Sequence, residues 1–287
     1  MRSEVSLGIY EKALVSPRED TDGEWRAFMS QVPACGFAFV DLSVDESPER
    51  AARLQWTPSQ RRTVQAAARA EGVLIGGLCL SLHRAIGPGS ADPATRHRAR
   101  TVMEEGIRLC HDLQIPVLQV AGYYCYYEPA HPDAETWYHE MLEDAVPLAS
   151  RLGVVLGIEN VDGTDVTSVT KVMEHVEAID SPYLQAYPDL GNIAEQGLDV
   201  ATELATGRGH MVAMHAKDVR RGEPRRVGMG SGIVDWETSF ATLANQGWSG
   251  RLMLEMWNDD SPESARRCVA ARHFLESALT KAHITVI

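Results

Sequence analysis

The chain has 287 residues, of which 44% are hydrophobic and 23% charged, a composition typical of a folded globular protein. Its 27 Lys and Arg against 40 Asp and Glu give a formal net charge of −13, which argues against a broad nucleic-acid-binding face. No apolar run approaches the ~20 residues of a membrane-spanning helix, so we expect no membrane partner. The N-terminus has no secretion signal, and the five scattered cysteines favour buried thiols in a reducing compartment, so we expect a cytoplasmic protein.

Short apolar runs of strand length alternate with stretches of helical spacing along the chain. Eight strands are predicted, at Val5–Tyr10, Phe37–Leu42, Leu74–Leu80, Val117–Ala121, Val154–Glu159, Leu184–Asp189, Met211–His215 and Arg251–Glu255. Helices are predicted at Ser59–Glu71, Pro93–Leu113, Ala134–Leu152, Val166–Ile179, Asp235–Gln246 and Pro262–Ala282. Capping signals for three helix starts are Thr57-Pro58, Asp92-Pro93 and Ser261-Pro262.

Eight strand–helix units in 287 residues give roughly 36 residues per unit, which suits an α/β fold of the (β/α)8 TIM-barrel type. We expect residues 1–287 to form a single barrel domain. The alternative is a doubly wound open sheet. It is disfavoured because no G-x-G-x-x-G opens a helix after a strand, and Gly228, Gly230 and Gly232 follow an arginine-rich loop instead.

Potential metal ligands occur at the ends of the last four predicted strands, about one strand–helix unit apart. They are Glu159, Asp189, His215 and Glu255. In a barrel these side chains converge at the C-terminal face, where barrel enzymes keep their active sites. Three carboxylates and one imidazole suit Mn²⁺, Mg²⁺ or Zn²⁺. A single acidic residue at a strand end is more often a helix cap or a surface charge. Burying three carboxylates without a cation is costly, however, and this favours one divalent metal ion.

Two of these ligands, Glu159 and Glu255, belong to the fifth and eighth strands, nearly across the mouth from one another. Carboxylates on opposite faces of a substrate suit proton abstraction on one side and delivery on the other, while the metal stabilises the enediolate between the two steps. This is the chemistry of a ketose epimerase or a related isomerase.

A basic segment after the seventh strand suggests a charged substrate. Its cations are Lys217, Arg220, Arg221, Arg225 and Arg226. Barrels often bind phosphate in the loops after strands seven and eight, so one interpretation is a pocket for a phosphorylated sugar. A solvated basic loop is the equally weighted alternative. After the third strand, His83 and Arg84 are expected to face the same mouth and bind substrate hydroxyls or phosphate, whereas Lys12 borders it without a specific role.

The segments LGIYEKAL, LSVDE, CLSLHR, QVAGYYCYYE, GIEN, YPDLGN, HAKD and LEMW resemble, in order, the L-ribulose-5-phosphate (L-xylulose-5-phosphate) 3-epimerases of the xylose-isomerase-like barrel superfamily. The resemblance covers nearly the whole chain. It implies that the four ligands bind the metal, that Glu159 and Glu255 invert the ketose at C3, and that the protein is a homo-oligomer such as a dimer. Asn192 stands where free-sugar epimerases tend to have His, which favours a phosphorylated substrate.

Residues 84–90 and the loop after strand seven differ from the family pattern, so a ketose 3-epimerase or aldose–ketose isomerase acting on another sugar remains the alternative. A DNA-repair phosphodiesterase on the same barrel is expected to have a basic groove and extra histidines, which this acidic chain lacks. A non-catalytic sugar-binding barrel is expected to have lost a ligand or a glutamate, and all four are present.

Overall fold

Eight parallel strands close into a barrel in the computed structural model, which describes residues 3–287. In chain order the strands within residues 3–287 are β1 (Glu4–Tyr10), β2 (Phe39–Val44), β3 (Leu74–Leu80), β4 (Val117–Ala121), β5 (Val155–Glu159), β6 (Leu184–Ala186), β7 (Met214–Ala216), β8 (Asp218–Arg220), β9 (Glu223–Val227), β10 (Gly250–Leu254) and β11 (Thr285–Val286). The eight barrel strands are β1 to β7 and β10, whereas β8 and β9 form a separate hairpin and β11 pairs with β1. Strands β1 to β6 pair in succession, β1 also pairs with β10, and β10 pairs with β7. Parallel bridges between Ala186 and Met211 and between Asp189 and His215 close the ring. The predicted (β/α)8 barrel is confirmed.

The helices surround this ring. They are α1 (Asp22–Ala34), α2 (Pro48–Ala51), α3 (Pro58–Ala70), α4 (Pro93–Leu113), α5 (Ala134–Leu152), α6 (Val169–Ile179), α7 (Leu190–Glu195), α8 (Val200–Thr206), α9 (Trp236–Gln246) and α10 (Ser264–Lys281). Helices α4 and α5 have the predicted bounds, and the other predicted helices differ by up to three residues at an end. No helix within residues 3–287 is long and apolar enough to cross a membrane.

Two of the three predicted helix caps are formed. The Thr57 side chain accepts a hydrogen bond from a backbone N–H in the first turn of α3, and the Asp92 side chain does the same for α4. The prediction at Ser261 was wrong, because Ser261 belongs to a turn in which its carbonyl accepts from the backbone N–H of Ser264. Helix α10 therefore begins only after Glu263.

The sixth and seventh barrel strands are shorter than predicted. The predicted strand Leu184–Asp189 ends at Ala186, because Pro188 has no N–H to donate to a neighbouring strand. The predicted strand Met211–His215 becomes regular only at Met214. As a result, Asp189 and His215 meet at an isolated bridge just beyond the regular ladder. Asp189 also caps α7, since its side chain accepts from the N–H of Asn192.

The side chain of Phe39 fills the barrel interior below the mouth. A Cβ atom at Gly8 or at Gly76 would lie 2.1 or 2.5 Å from the ring of Phe39, so both positions require glycine. Tyr10, Phe39, Cys79 and Met253 pack together as one buried cluster. This cluster forms the floor on which the site rests. All five cysteines of the chain are buried, as predicted.

Candidate active site

The four predicted ligands lie together at the C-terminal end of the barrel. Glu159 is the last residue of β5, Asp189 precedes α7, His215 lies in β7, and Glu255 directly follows β10. Each offers one ligand atom, and the four atoms all lie within 4.8 Å of one another. Parallel strands carry their C-terminal ends to the same face, which explains why four distant segments meet here. These residues are called the ligand cluster below.

The distances and the burial in the ligand cluster fit a single divalent ion. The Nδ1 atom of His215 lies 2.8 Å from Glu159 Oε1, 3.7 Å from Asp189 Oδ2 and 4.0 Å from Glu255 Oε2. Two atoms that are each about 2.1 Å from one ion lie at most about 4.2 Å apart, so small shifts suffice. Within residues 3–287, Asp189 Oδ2 and Glu255 Oε2 are buried without a hydrogen-bond partner. Since burying such oxygens without compensation is costly, the group could hold a metal.

Burial and mutual contact shift the pKa values of the ligand cluster. Burial raises the pKa of Glu159 to about 7, against the opposing effect of His215. Burial favours neutral His215, but the carboxylates of Glu159 and Glu255 hold its pKa well above the ordinary value. Burial also opposes ionisation of Asp189, yet Lys217 and His215 keep its pKa below the usual range. These directions describe the cluster without a cation, and a divalent ion bound there would favour the ionised form of Glu159.

Two side chains that the sequence analysis missed orient Glu159 and its surroundings. Gln119 Nε2 donates to Glu159 Oε2 at 2.5 Å. Asn160 Oδ1 accepts from the N–H of Asp189 at 2.8 Å, which ties the end of β5 to the start of α7. Gln119 is the one polar residue in the strand VLQVA, and this exception could have marked it as facing the site.

A second series of contacts supports His215 from the barrel interior, through Tyr187 and Asp41. The ring of Tyr187 packs edge-on against the imidazole of His215, with centroids 4.6 Å apart. The Tyr187 hydroxyl donates to Asp41 Oδ2 at 3.0 Å inside the barrel. Burial raises the pKa of Asp41, because the carboxylate lies in the apolar interior. Asp41 interrupts the apolar strand FVDLSV in the same way as Gln119 interrupts β4.

A pocket of about 400 Å³ opens above the ligand cluster. Its walls include Tyr10, Tyr123, Trp257 and six cationic side chains. The six, called the pocket cations below, are Lys12, Arg50, Arg84, Lys217, Arg225 and Arg226. Five acidic side chains line the same pocket, so its charge is mixed: Glu159, Asp162, Glu255, Asp259 and Asp260. The cations nevertheless offer partners for an anionic ligand.

The basic segment after β7 forms a hairpin instead of the predicted loop. Strands β8 and β9 pair in antiparallel fashion. Arg225 and Arg226 of β9 both face the pocket, whereas Arg220 and Arg221 lie at the turn end of the hairpin. Arg220 is exposed and pairs with Glu223, and Arg221 lies outside the barrel mouth beside α7. Both therefore lie away from the pocket, contrary to the prediction. Arg226 does line the pocket, next to Asp259.

His83 and Arg84 are neighbours that the structure separates. His83 is fully buried, its Nε2 lies 3.1 Å from the carbonyl oxygen of Ala99 on α4, and it does not line the pocket. Burial lowers the pKa of His83 to about 4. The expected contact between His83 and substrate is thus not provided by this arrangement. Arg84 does line the pocket, where it donates to Glu46 at 3.1 Å.

Arg50 is a pocket cation that the sequence analysis missed. Its Nε donates to Glu11 Oε1 at 2.6 Å, and its Nη2 donates to Ser16 Oγ at 3.2 Å. Lys12 pairs with Asp45, which helps to lower the pKa of that buried carboxyl to about 2. No motif or hydrophobic pattern singles out Arg50 in the sequence. Only its position shortly after β2 could have indicated that it faces the barrel mouth.

The chain is similar to known proteins over nearly its whole length. The sequence model of the xylose isomerase-like TIM barrel family matches residues 30–277. A protein of Shigella boydii serotype 18 named L-ribulose-5-phosphate 3-epimerase UlaE is 36% identical over 283 residues, which cover 98% of each chain. Its namesake from Escherichia coli O157:H7 is 36% identical over the same coverage.

Two solved structures share the fold at low sequence identity. The D-psicose 3-epimerase of Clostridium cellulolyticum H10, solved with D-tagatose, aligns with a TM-score of 0.80 at 14% identity, covering 96% of this chain and 99% of its own. A structure of L-ribulose 3-epimerase aligns with a TM-score of 0.77 at 16% identity, covering 97% of this chain and 95% of its own.

Proposed function

The chain belongs to the L-ribulose-5-phosphate 3-epimerase family of xylose isomerase-like TIM barrels, and from this membership we propose that it is an isomerase that interconverts L-ribulose 5-phosphate and L-xylulose 5-phosphate. The observation that carries the proposal is a cluster of three carboxylates and one imidazole beneath a pocket lined in part by cations. The cluster supplies the groups that C3 inversion needs, and the pocket cations suit a phosphorylated substrate.

Proton transfer at C3 is assigned to Glu159 and Glu255. The two glutamates reach the pocket from separate strands, β5 and β10, so they can address a bound ketose from different sides. One carboxylate removes the C3 proton, and the other returns a proton to the opposite face, which inverts the centre. Gln119 holds one oxygen of Glu159 in place, so that the side chain approaches the substrate in a fixed orientation.

The metal is assigned to the whole ligand cluster. Glu159, Asp189, His215 and Glu255 would hold one divalent ion, Mn²⁺, Mg²⁺ or Zn²⁺, since oxygen and imidazole donors suit these ions. The bound ion supplies Lewis-acid stabilisation of the negative charge that develops on the substrate. Asn160 and Asn192 keep Asp189 oriented by hydrogen bonds to its backbone N–H and side chain, respectively.

The phosphate is assigned to the four arginines among the pocket cations. Arg50, Arg84 and Arg225 are each paired with a carboxylate at 2.6 to 3.1 Å. The pair of Arg226 and Asp259 is more than half exposed on both sides, so it costs little to exchange Asp259 for a phosphate. Arg226 is therefore our first candidate for a phosphate contact.

The proposal is tested by solvent exchange at C3. Metal-loaded protein is incubated with each pentulose 5-phosphate in D2O, and the C3 proton is followed by NMR. We expect the C3 signal to disappear while the other epimer forms. Exchange at C1 instead would identify an aldose–ketose isomerase, and exchange only with unphosphorylated ketoses would remove the phosphate from the proposal. No exchange with any ketose, from protein shown to hold metal, would overturn it.

We also propose, from the family resemblance, that residues 1–287 act as one domain in a cytoplasmic homodimer. The five buried thiols agree with a reducing compartment. Light scattering during size-exclusion chromatography measures the subunit number, and a monomer at micromolar concentration would contradict the dimer.

A further inference from the structure

Lys217 is a buried cation that the proton-transfer scheme above does not use. Its side chain is only 5% exposed, yet it lines the pocket. Lys217 stands two residues after His215, so the alternation of an extended chain turns both side chains toward the mouth. Because a lysine is almost never buried to this extent without partners, its surroundings indicate what it does.

The ammonium group of Lys217 has one hydrogen bond and two close carboxylates. Its Nζ donates to Asn192 Oδ1 at 2.9 Å. It also lies 3.0 Å from Asp189 Oδ2 and 3.3 Å from Glu255 Oε2, but within residues 3–287 neither oxygen has a hydrogen-bond partner. The two carboxylates therefore attract the charge without well-aligned hydrogen bonds. Since an ammonium has three donors, N–H groups beyond the one donated to Asn192 can serve a bound molecule.

The orientation of Asn192 is fixed by its other contacts. Its Nδ2 donates to the carbonyl oxygen of Asn160 at 2.8 Å, so the acceptor end of the amide is the one that meets Lys217. The backbone just before Asn192 also packs closely against Lys217. A Cβ atom at Gly191 would lie 2.8 Å from the carbonyl oxygen of Lys217 and 3.0 Å from its Cε. The start of α7 therefore packs closely against the side chain of Lys217.

Charge counting shows what this cation adds. Three carboxylates and a divalent ion sum to −1, and the ammonium of Lys217 makes the buried group neutral. Removal of the C3 proton then places further negative charge on the substrate oxygens. A fixed cation at the edge of the pocket stabilises that charge without having to reorganise, which is the usual origin of large electrostatic effects on rate.

We propose that Lys217 is a third catalytic group of this reaction, which donates a hydrogen bond from its ammonium to the substrate oxygen where negative charge develops, and that Asn192 is the residue that positions it. The inference rests on the proposed function. Lys217 keeps its three protons throughout, since the proton of C3 leaves to one glutamate and a proton returns from the other.

The test separates metal binding from turnover. We compare Lys217→Met, Lys217→Arg and the exposed-lysine control Lys281→Met by Mn²⁺ calorimetry and by kcat and KM for L-ribulose 5-phosphate. Lys217→Met should bind Mn²⁺ at least as tightly as the wild type, because the cluster becomes more negative, while kcat falls about 10²–10³-fold. Lys217→Arg should recover part of the loss. The control should match the wild type in both measurements.

A double variant tests the role of Asn192. If Asn192 acts through Lys217, Asn192→Ala alone should lower kcat about tenfold, but it should add little to Lys217→Met. Multiplying losses would overturn the positioning role. A Lys217→Met protein that loses Mn²⁺ in proportion to kcat, or that keeps wild-type kcat, would overturn the catalytic role. If the wild type itself exchanges C3 of no ketose, the proposed function fails and this inference fails with it.

Discussion

The Nδ1 atom of His215 lies 2.8 Å from Oε1 of Glu159, so a predicted metal ligand and a predicted base contact each other directly. Although burial favours the neutral imidazole, the carboxylates of Glu159 and Glu255 hold the pKa of His215 well above its ordinary value, so we expect the metal-free imidazole to carry a proton at neutral pH. A metal ion requires the deprotonated nitrogen. Metal binding to this cluster must therefore displace a proton.

The first prediction concerns this displacement. Mn²⁺ binding to chelator-treated protein should release about one proton, measured by calorimetry in buffers of different ionisation enthalpy. At 100 times Kd, Mn²⁺ should raise the free energy of unfolding by about 2.7 kcal/mol. Asp189→Asn should weaken both effects. Glu203→Gln, a buried carboxylate that instead accepts from the N–H of Thr170, is the matched control. An unchanged thermal midpoint in wild-type protein would contradict the metal site.

The second prediction separates the two glutamates. Glu159→Gln and Glu255→Gln should each lower the rate of epimerisation by about 10²–10⁴-fold, because a general base or acid is lost at similar volume. Each variant retains the other glutamate, so it should still exchange the C3 proton of one epimer, and the two variants should act on opposite epimers. NMR in D2O measures both. If both variants exchanged the same epimer, the two-sided assignment would be wrong.

The third prediction uses two arginines of the same hairpin. Arg226→Met should raise KM for a pentulose 5-phosphate about tenfold or more, with little change for the unphosphorylated pentulose, since charge-assisted hydrogen bonds typically contribute 1.5–3 kcal/mol. Arg221→Met is the control, because Arg221 lies outside the mouth beside α7. Steady-state kinetics with both sugars gives the ratio. Equal effects of Arg226→Met on the two sugars would remove Arg226 from the phosphate contact.

The fourth prediction concerns pH and the buried His83. Its Nε2 contacts the Ala99 carbonyl, and within residues 3–287 its Nδ1 has no partner. The folded pKa of about 4 lies below the ordinary 6.5. Between these values the unfolded chain binds a proton that the folded chain does not, so stability is full above about pH 6.5 and declines as the pH falls toward 4.

From pH 7 to pH 5 this linkage amounts to about 2 kcal/mol. His83→Gln, which keeps an N–H donor for the carbonyl of Ala99, should lose less stability than the wild type over that range. Urea unfolding at several pH values measures the difference. The exposed His97→Gln should behave like the wild type. Parallel pH profiles for His83→Gln and the wild type would refute the assignment.

The architecture and the ligand cluster were predictable because both depend on regular spacing. Parallel strands of a barrel all end at one face, so residues such as Glu159 and Glu255 needed only the correct strand ends to be placed together. Small errors in strand length did no harm. The strand before Asp189 ends three residues early, and Asp189 still reaches the cluster through its bridge to His215.

The lining of the pocket was less predictable because loops do not fix the direction of a side chain. His83 and Arg84 are adjacent in one short 3-10 turn, yet one points into the packing under α4 and the other into the pocket. The same holds for Arg221 at the turn end of the hairpin and Arg226 in the pocket. In both cases the sequence shows the charge but not the backbone conformation that directs it.

The placement of the pocket residues along the chain has an evolutionary consequence. The four predicted ligands all come from β5 and the segments after it, whereas Lys12, Arg50 and Arg84 follow β1, β2 and β3. The part of the chain before β5 therefore supplies three of the six pocket cations and none of the four predicted ligands. Mutations in the loops of the first half can change which sugar enters the pocket without moving a ligand, so new specificities are open to selection while the chemistry is inherited intact.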